Sequence, residues 1–97
     1  MKRNLSIIAL MALLASCALP MDELTSNGEE VKVVMTKPKD CKPVGKFEGR
    51  NEEGSMELAT VHARNLAGER DADTMYINDN LSQGSLRRVL ATGYICN

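Results

Sequence analysis

Three cysteines constrain this chain more than any other feature of its sequence: Cys17, Cys41 and Cys96. If two of them form a disulfide, the third is left without a partner. The chain has 97 residues, which allows one small domain. A domain of that size buries a modest core and often depends on a covalent link. The division of the three thiols therefore bears on both the fold and the location of the protein.

Residues 1–16 have the pattern of a secretory signal peptide. Lys2 and Arg3 are followed by an apolar run, residues 5–15, which only Ser6 interrupts. The run is too short for a membrane-spanning helix, which takes about 20 apolar residues, but it suits the apolar region of a signal peptide. A buried helix is the alternative, and against it the run shows no polar face.

The residues around Cys17 resemble the bacterial lipobox, because Leu14, Ala15 and Ser16 place a branched apolar and two small residues before the cysteine. In proteins with that motif the thiol receives a diacylglycerol, the chain is cut before the cysteine, and the new amine is acylated. Several acyl chains anchor a protein stably in membrane lipid. Ala18, rather than an aspartate, follows the cysteine and favours the outer membrane. The alternative is ordinary cleavage after Ala18, which would release a soluble periplasmic protein.

With Cys17 lipidated, Cys41 and Cys96 remain as a pair, and the oxidising periplasm predicts a disulfide between them. That bond would close a loop of about 55 residues and stabilise the fold by about 4 kcal/mol in the chain-entropy model. A redox-active or metal-binding pair is the alternative. Against it, the sequence has no C-x-x-C motif and only one histidine.

The polar stretch after Cys17 predicts a tether. Residues 18–30 contain Pro20 and end in acidic residues, which is typical of a connecting segment. We therefore divide the chain into a signal peptide over residues 1–16, a lipidated tether over residues 17–30 and a periplasmic domain over residues 31–97.

The domain is predicted to be α+β, with the element order β-β-α-β-β and one helix packed on a small sheet. Ser55 has the character of a helix N-cap, and alanines recur at helical spacing after it. Alternation along the second strand places Cys41 and Phe47 on one face, toward the core. The predicted strands cover residues 31–36, 41–49, 74–78 and 89–96, and the predicted helix covers residues 56–70.

No stretch of the sequence predicts a catalytic or metal site. His62 is the single histidine and lies beside the apolar stripe of the predicted helix, without a nucleophile and acid to form a triad. Asp71, Asp73 and Asp79 do not complete the ligand order of an EF-hand. We therefore predict a protein that is not an enzyme and holds no cofactor or metal.

Charge narrows the class of partner. Lys2 and Arg3 leave with the signal peptide, so the mature chain has ten basic and thirteen acidic residues. Its net charge of about −3 argues against a nucleic-acid partner. Arg87 and Arg88 would suit lipid headgroups or an acidic partner, although two charges make a weak patch. No small-molecule substrate is evident, so we expect membrane lipid and an unidentified envelope protein as partners.

Four short motifs follow one another in a recognisable order: Cys41-Lys42-Pro43-Val44-Gly45, Arg64-Asn65-Leu66-Ala67, Asp71-Ala72-Asp73-Thr74 and Gly93-Tyr94-Ile95-Cys96. Together they resemble a family of small outer-membrane lipoproteins described as domain of unknown function 4156. The family is distantly similar to the lipoprotein that senses envelope stress for the Rcs phosphorelay. The resemblance implies a periplasmic α+β domain held by disulfide bonding.

This chain departs from the family at a turn after the helix, where Asp71 stands in place of a glycine. The residue after a helix C-cap often has a positive φ, which glycine adopts most easily and aspartate tolerates at some cost. We therefore expect either a different helix end or a left-handed Asp71.

Together these observations predict a bacterial outer-membrane lipoprotein with a non-enzymatic interaction domain. One alternative is an envelope-stress sensor that acts on a signalling partner, and another is a soluble periplasmic ligand-binding protein.

Overall fold

The computed structural model describes residues 23–97, which form two helices and four strands. The predicted α+β class is confirmed, and the longer helix packs on one face of the sheet. Within the described residues, no helix is long and apolar enough to cross a bilayer. The elements are α1 (Ser26–Glu29), β1 (Lys32–Val34), β2 (Lys42–Asn51), α2 (Met56–Glu69), β3 (Thr74–Asn80) and β4 (Arg87–Ile95).

The four strands form one mixed sheet in the order β1-β3-β4-β2. β1 is parallel to β3, whereas β4 is antiparallel to both β3 and β2. Since β1 and β2 lie at opposite edges, the connection between them must cross the sheet. Thr36 and Pro38 of this connection border a groove with Thr74. Thr74 faces away from the core, because its neighbour Met75 belongs to the core beneath α2. The connection therefore crosses the face that α2 leaves open.

Helix α2 begins at the predicted cap and approaches β2 closely. The Ser55 hydroxyl accepts a hydrogen bond at 3.1 Å from a backbone amide of the first turn. Ala59, Ala63 and Ala67 are fully buried against the sheet. A Cβ on Gly49 would lie only 2.8 Å from the Cβ of Ala63. Small residues on both elements therefore fix the distance between helix and sheet.

Helix α2 ends in a Schellman motif. The amide of Asp71 donates to the Gly68 carbonyl at 3.0 Å, and the amide of Ala72 donates to the Ala67 carbonyl at 3.1 Å. We expected either a different helix end or a left-handed Asp71. The structure shows the second, because Asp71 has a φ of 64°.

The core lies between α2 and the sheet. Val31, Met75 and Val89 are its largest fully buried side chains, and Phe47 packs with them. The other buried members of this core cluster are all alanines, so the core is thin for a domain of this size.

The predicted alternation along β2 is wrong at the start of the strand. A register shift between Pro43 and Gly45 inserts an extra residue opposite β4, which moves Cys41 out of step with Phe47. Phe47 stays in the core, whereas Cys41 is half-buried. Period-two counting fails here because a bulge breaks the pleat.

The β3–β4 hairpin is longer than predicted. Gln83 and Leu86 exchange two backbone hydrogen bonds of 2.9 Å across a short turn, and Gly84 in that turn has a φ of 57°. Asp79, Asn80, Arg87 and Arg88 lie between the predicted strands and form the outer ends of β3 and β4.

The last part of the predicted tether is folded onto the domain as α1. The Thr25 hydroxyl caps this helix and accepts a hydrogen bond from the Gly28 amide at 3.0 Å. A Cβ on Gly68 of α2 would lie 2.7 Å from the backbone carbonyl of Asn27. The backbones of the two helices are therefore in contact. Such packing needs no large apolar side chains, so the sequence of α1 has no apolar pattern that would predict a helix.

Candidate functional site

The residues predicted for lipid attachment lie outside the described part of the chain. Cys17 and the predicted recognition residues Leu14, Ala15 and Ser16 all precede Glu23, where the description begins. Their role stays a prediction.

The predicted disulfide is present between Cys41 and Cys96, whose Cα atoms are 4.5 Å apart. Cys41 precedes β2 and Cys96 follows β4, and the neighbouring residues Lys42 and Ile95 pair in the antiparallel ladder. The cysteines thus continue that ladder by one cross-strand pair. The bond links the start of an edge strand to the end of a central one.

Asp73 fixes the end of the chain beside the disulfide. Its carboxylate accepts a hydrogen bond from the Thr74 hydroxyl at 2.8 Å, from the Cys96 amide at 3.0 and 3.1 Å, and from the Asn97 amide at 3.1 Å. These donors, the Thr74 hydroxyl above all, lower the pKa of the Asp73 carboxyl. No sequence pattern predicted this role, because the two amides lie more than twenty residues away along the chain.

A groove of about 550 Å³ lies on the open face of the sheet beside the disulfide. Lys32 and Val34 of β1, Thr74 of β3 and Cys96 contribute to its lining, and Pro38 comes from the crossing connection. The volume falls within the range of small-molecule sites. Since the lining comes from separate segments, no local motif predicted it.

A set of hydrogen bonds, which we call the clasp, fastens the N-terminal segment to α2. The amide of Asn65 is the centre of the clasp, and this side chain is buried. Its Oδ1 accepts from the Thr25 amide at 2.9 Å and from the Thr25 hydroxyl at 3.1 Å, and its Nδ2 donates to the Glu23 carbonyl at 2.7 Å. Buried amides that use both donor and acceptor groups hold their partners in one arrangement.

Arg64 extends the clasp toward β1. Its Nε donates to the Val31 carbonyl at 3.1 Å, and its terminal nitrogen donates to the Glu29 carbonyl at 3.3 Å. Asn65 follows Arg64 directly in sequence, so two successive residues of α2 hold the whole segment that leads into the sheet. The sequence motif that contains them gave no indication of this structural role.

His62 caps the free edge of β2. Its Nδ1 accepts a hydrogen bond from the backbone amide of Arg50 at 3.0 Å, and β2 has a strand partner on one side only. Burial lowers the pKa of His62. The single histidine therefore covers a backbone donor on an edge strand, a site at which unpaired amides invite further pairing.

Three charged side chains meet near the end of the same edge strand. A terminal nitrogen of Arg88 lies 2.7 Å from Glu48, and Nε of Arg50 lies 3.6 Å from the same carboxylate. The hydrogen bond from Arg88 lowers the pKa of Glu48. Arg88 belonged to the basic pair noted in the sequence, but its proximity to Arg50 depends on strand register.

The remaining candidates from the sequence serve separate places in the fold. Asp71 ends α2, Asp73 holds the chain end, and Asp79 is exposed on β3. Within residues 23–97, no three potential metal ligands come together.

The described residues thus define a disulfide-linked α+β domain with a polar clasp on its N-terminal segment. No protein-family model, curated protein or solved structure matches the chain.

Proposed function

We propose that this chain is a bacterial outer-membrane lipoprotein. Acylated Cys17 holds it to membrane lipid, and its periplasmic domain binds another envelope protein without catalysing a reaction.

The pairing of Cys41 with Cys96 supports this proposal most directly. Structural disulfides persist in oxidising compartments such as the periplasm. The bond uses two of the three cysteines, and the remaining one is Cys17. That cysteine follows an apolar run and the small residues Ala15 and Ser16, as an acylated cysteine does in the lipobox it resembles.

The clasp supports a domain held close to the membrane. Residues 18–22 separate Cys17 from Glu23, and an extended chain covers about 3.5 Å per residue. The anchored residue and the clasp are therefore at most about 20 Å apart. An interaction domain on so short a connection meets partners near the membrane surface.

An envelope-stress sensor is the second candidate, and the clasp favours it. A pull on the anchor would reach the fold through the segment that Asn65 and Arg64 hold. A sensor should change its signalling output when the clasp is weakened and the domain stays folded, whereas a plain interaction module should not.

The anchor is tested by replacing Cys17 with Ser. Intact-mass analysis of the wild-type protein should show a chain that begins at Cys17 and carries a diacylglycerol and a further acyl group. The C17S variant should lack that mass, because a hydroxyl does not replace the thiol in this modification.

Cys41→Ser is the matched control, since it removes a cysteine but should keep the acylated mass. Ala18→Asp should move the protein from the outer to the inner membrane in fractionation. The same acylated mass in C17S and wild type would overturn the proposal.

A further inference from the structure

The sheet face opposite α2 carries a cluster of charged side chains at the end away from the disulfide. Lys46, Glu48 and Arg50 alternate with the core residue Phe47 along β2 and therefore point to the open face. Arg88 joins them from β4. We call Lys46, Glu48, Arg50 and Arg88 the basic face.

The basic face brings two like charges together. Arg50 and Arg88 are directly opposite in the antiparallel register, where like charges repel. Glu48 contacts both guanidinium groups, at 2.7 Å to Arg88 and 3.6 Å to Arg50. One carboxylate thus serves two arginines, and Lys46 adds a third cation.

Arg88 also has an unused hydrogen-bond donor, although its terminal nitrogen already donates to Glu48 at 2.7 Å. Nε of Arg88 is buried and has no acceptor among residues 23–97, although buried polar groups nearly always have one. The side chain of Arg50 is 48% exposed. A second carboxylate would supply acceptors in the charge-assisted geometry that guanidinium groups bind best.

Apolar surface adjoins these charges on the same face. Leu90 pairs with Glu48, and Tyr76 pairs with the neighbour of Lys46 on β4, Thr92. Leu90 and Tyr76 are half-buried, with no helix packed over them within residues 23–97. The surface therefore offers both cations and apolar contact, a combination that suits a protein segment.

The opposite side of the domain has the opposite charge. Ala63 of α2 faces the sheet, and Asn65, roughly 200° around the helix, faces the clasp. The exposed acidic residues on α1, on α2 and in the segment before them are Glu23, Glu29, Glu57 and Glu69. This step rests on the proposed function: an anchor at Cys17 leaves the domain from the acidic side, so the basic face points away from the membrane.

We propose that the basic face docks an acidic, partly apolar segment of another envelope protein. One carboxylate of that segment lies between Arg50 and Arg88, and an apolar side chain lies on Leu90. Charge complementarity selects the partner, and the position of the anchor separates this surface from the lipid headgroups.

The test uses the mature protein in neutral detergent micelles and a synthetic decapeptide that alternates glutamate and leucine. Backbone amide shifts in NMR spectra should change saturably in β2 from residue 46 to residue 50 and in β4 from residue 88 to residue 90. The affinity should fall as salt is added. Arg50→Gln and Arg88→Gln should each weaken binding by about tenfold.

Arg70→Gln is the matched control, because Arg70 is an exposed arginine at the far end of α2, and it should bind like the wild type. A peptide with glutamine in place of glutamate should not bind. Equal binding of the glutamine peptide, or shifts confined to the acidic layer, would overturn the proposal.

Two further outcomes would also overturn the proposal. Shifts of the basic face with protein concentration alone would identify a second copy as the occupant, and equal shifts with phosphatidylglycerol vesicles would identify lipid. Failure of the anchor is distinguishable, because wild-type protein would then carry no acyl mass and would differ from C17S only by sulfur in place of oxygen, while both still bind the peptide.

Discussion

The two ends of the described chain are fastened to the fold in different ways. The C-terminal end is held by a covalent bond between Cys96 and Cys41 and by the carboxylate of Asp73. The N-terminal end is held without a covalent bond, by hydrogen bonds of Asn65 and Arg64 and by the close packing of α1 on α2. A covalent link resists separation in every folded and unfolded state, whereas a clasp of hydrogen bonds opens locally at modest cost. The domain therefore has one permanent and one releasable end, and the releasable one leads to the predicted anchor.

Loss of the disulfide should have the largest effect on stability. Cys96→Ser should lower the free energy of unfolding by about 4 kcal/mol, because the unfolded chain regains the entropy of an open 55-residue loop. Urea denaturation measures this difference. Cys17→Ser is the control and should leave the domain's free energy of unfolding unchanged; equal loss in both variants would contradict the division of the cysteines.

Loss of the clasp should have a smaller and more local effect. Asn65→Ala removes the hydrogen bonds with Thr25 and Glu23 and should cost about 2 kcal/mol. Amide hydrogen exchange should accelerate first in residues 25–34, with slow exchange kept in β4. Thr25→Ala keeps the Asn65 side chain and should cost about 1 kcal/mol. Uniform acceleration across the sheet in N65A would show that the two ends are not independent.

Protonation of Asp73 in acid should have the smallest effect, and it should act on the C-terminal end. The pKa of Asp73 is lower in the fold than its ordinary value near 3.8, so the unfolded chain binds more protons around that pH. Its contribution is therefore present above pH 3.8 and is lost as the pH falls through the folded pKa. The melting temperature of the Asp73→Asn variant should lie below that of the wild type at pH 6, and the two temperatures should converge toward pH 2. If the melting temperatures of the variant and the wild type already converged well above pH 3.8, the assignment to Asp73 would be contradicted.

The pKa of His62 is also lowered, so its contribution to stability is present above about pH 6.5 and is lost as the pH falls below that value. A His62→Gln variant keeps a hydrogen-bond acceptor for the edge amide and should remove only that upper window.

Local signals predicted the features whose causes are local. The cap at Ser55 and the helix after it were predicted from a few neighbouring residues. The disulfide was predicted because the residues before Cys17 set that cysteine apart, which left Cys41 and Cys96 as a pair. Asp71 adopts its left-handed conformation because a helix end needs it there. These predictions required no knowledge of which strands are neighbours.

The remaining features depend on partners distant in sequence. The bulge near Pro43 changes which face Cys41 occupies, and no residue pattern marks it. Asn65 meets its clasp partners about 40 residues away, and Arg50 meets Arg88 only through strand register. The sequence therefore predicted the fold class better than it predicted the surfaces on which a function would depend.

The strand order has a kinetic consequence. Lys32 of β1 pairs with Thr74, so the first strand of the described residues waits during synthesis for a partner more than forty residues behind it. The edge strand β2 waits over a comparable length of chain for β4. Folding dominated by such distant pairings is slow, and its unpaired strands are exposed to aggregation meanwhile. Because the core is thin and the disulfide needs Cys96, a newly made chain gains most of its stability only when its last strand is in place.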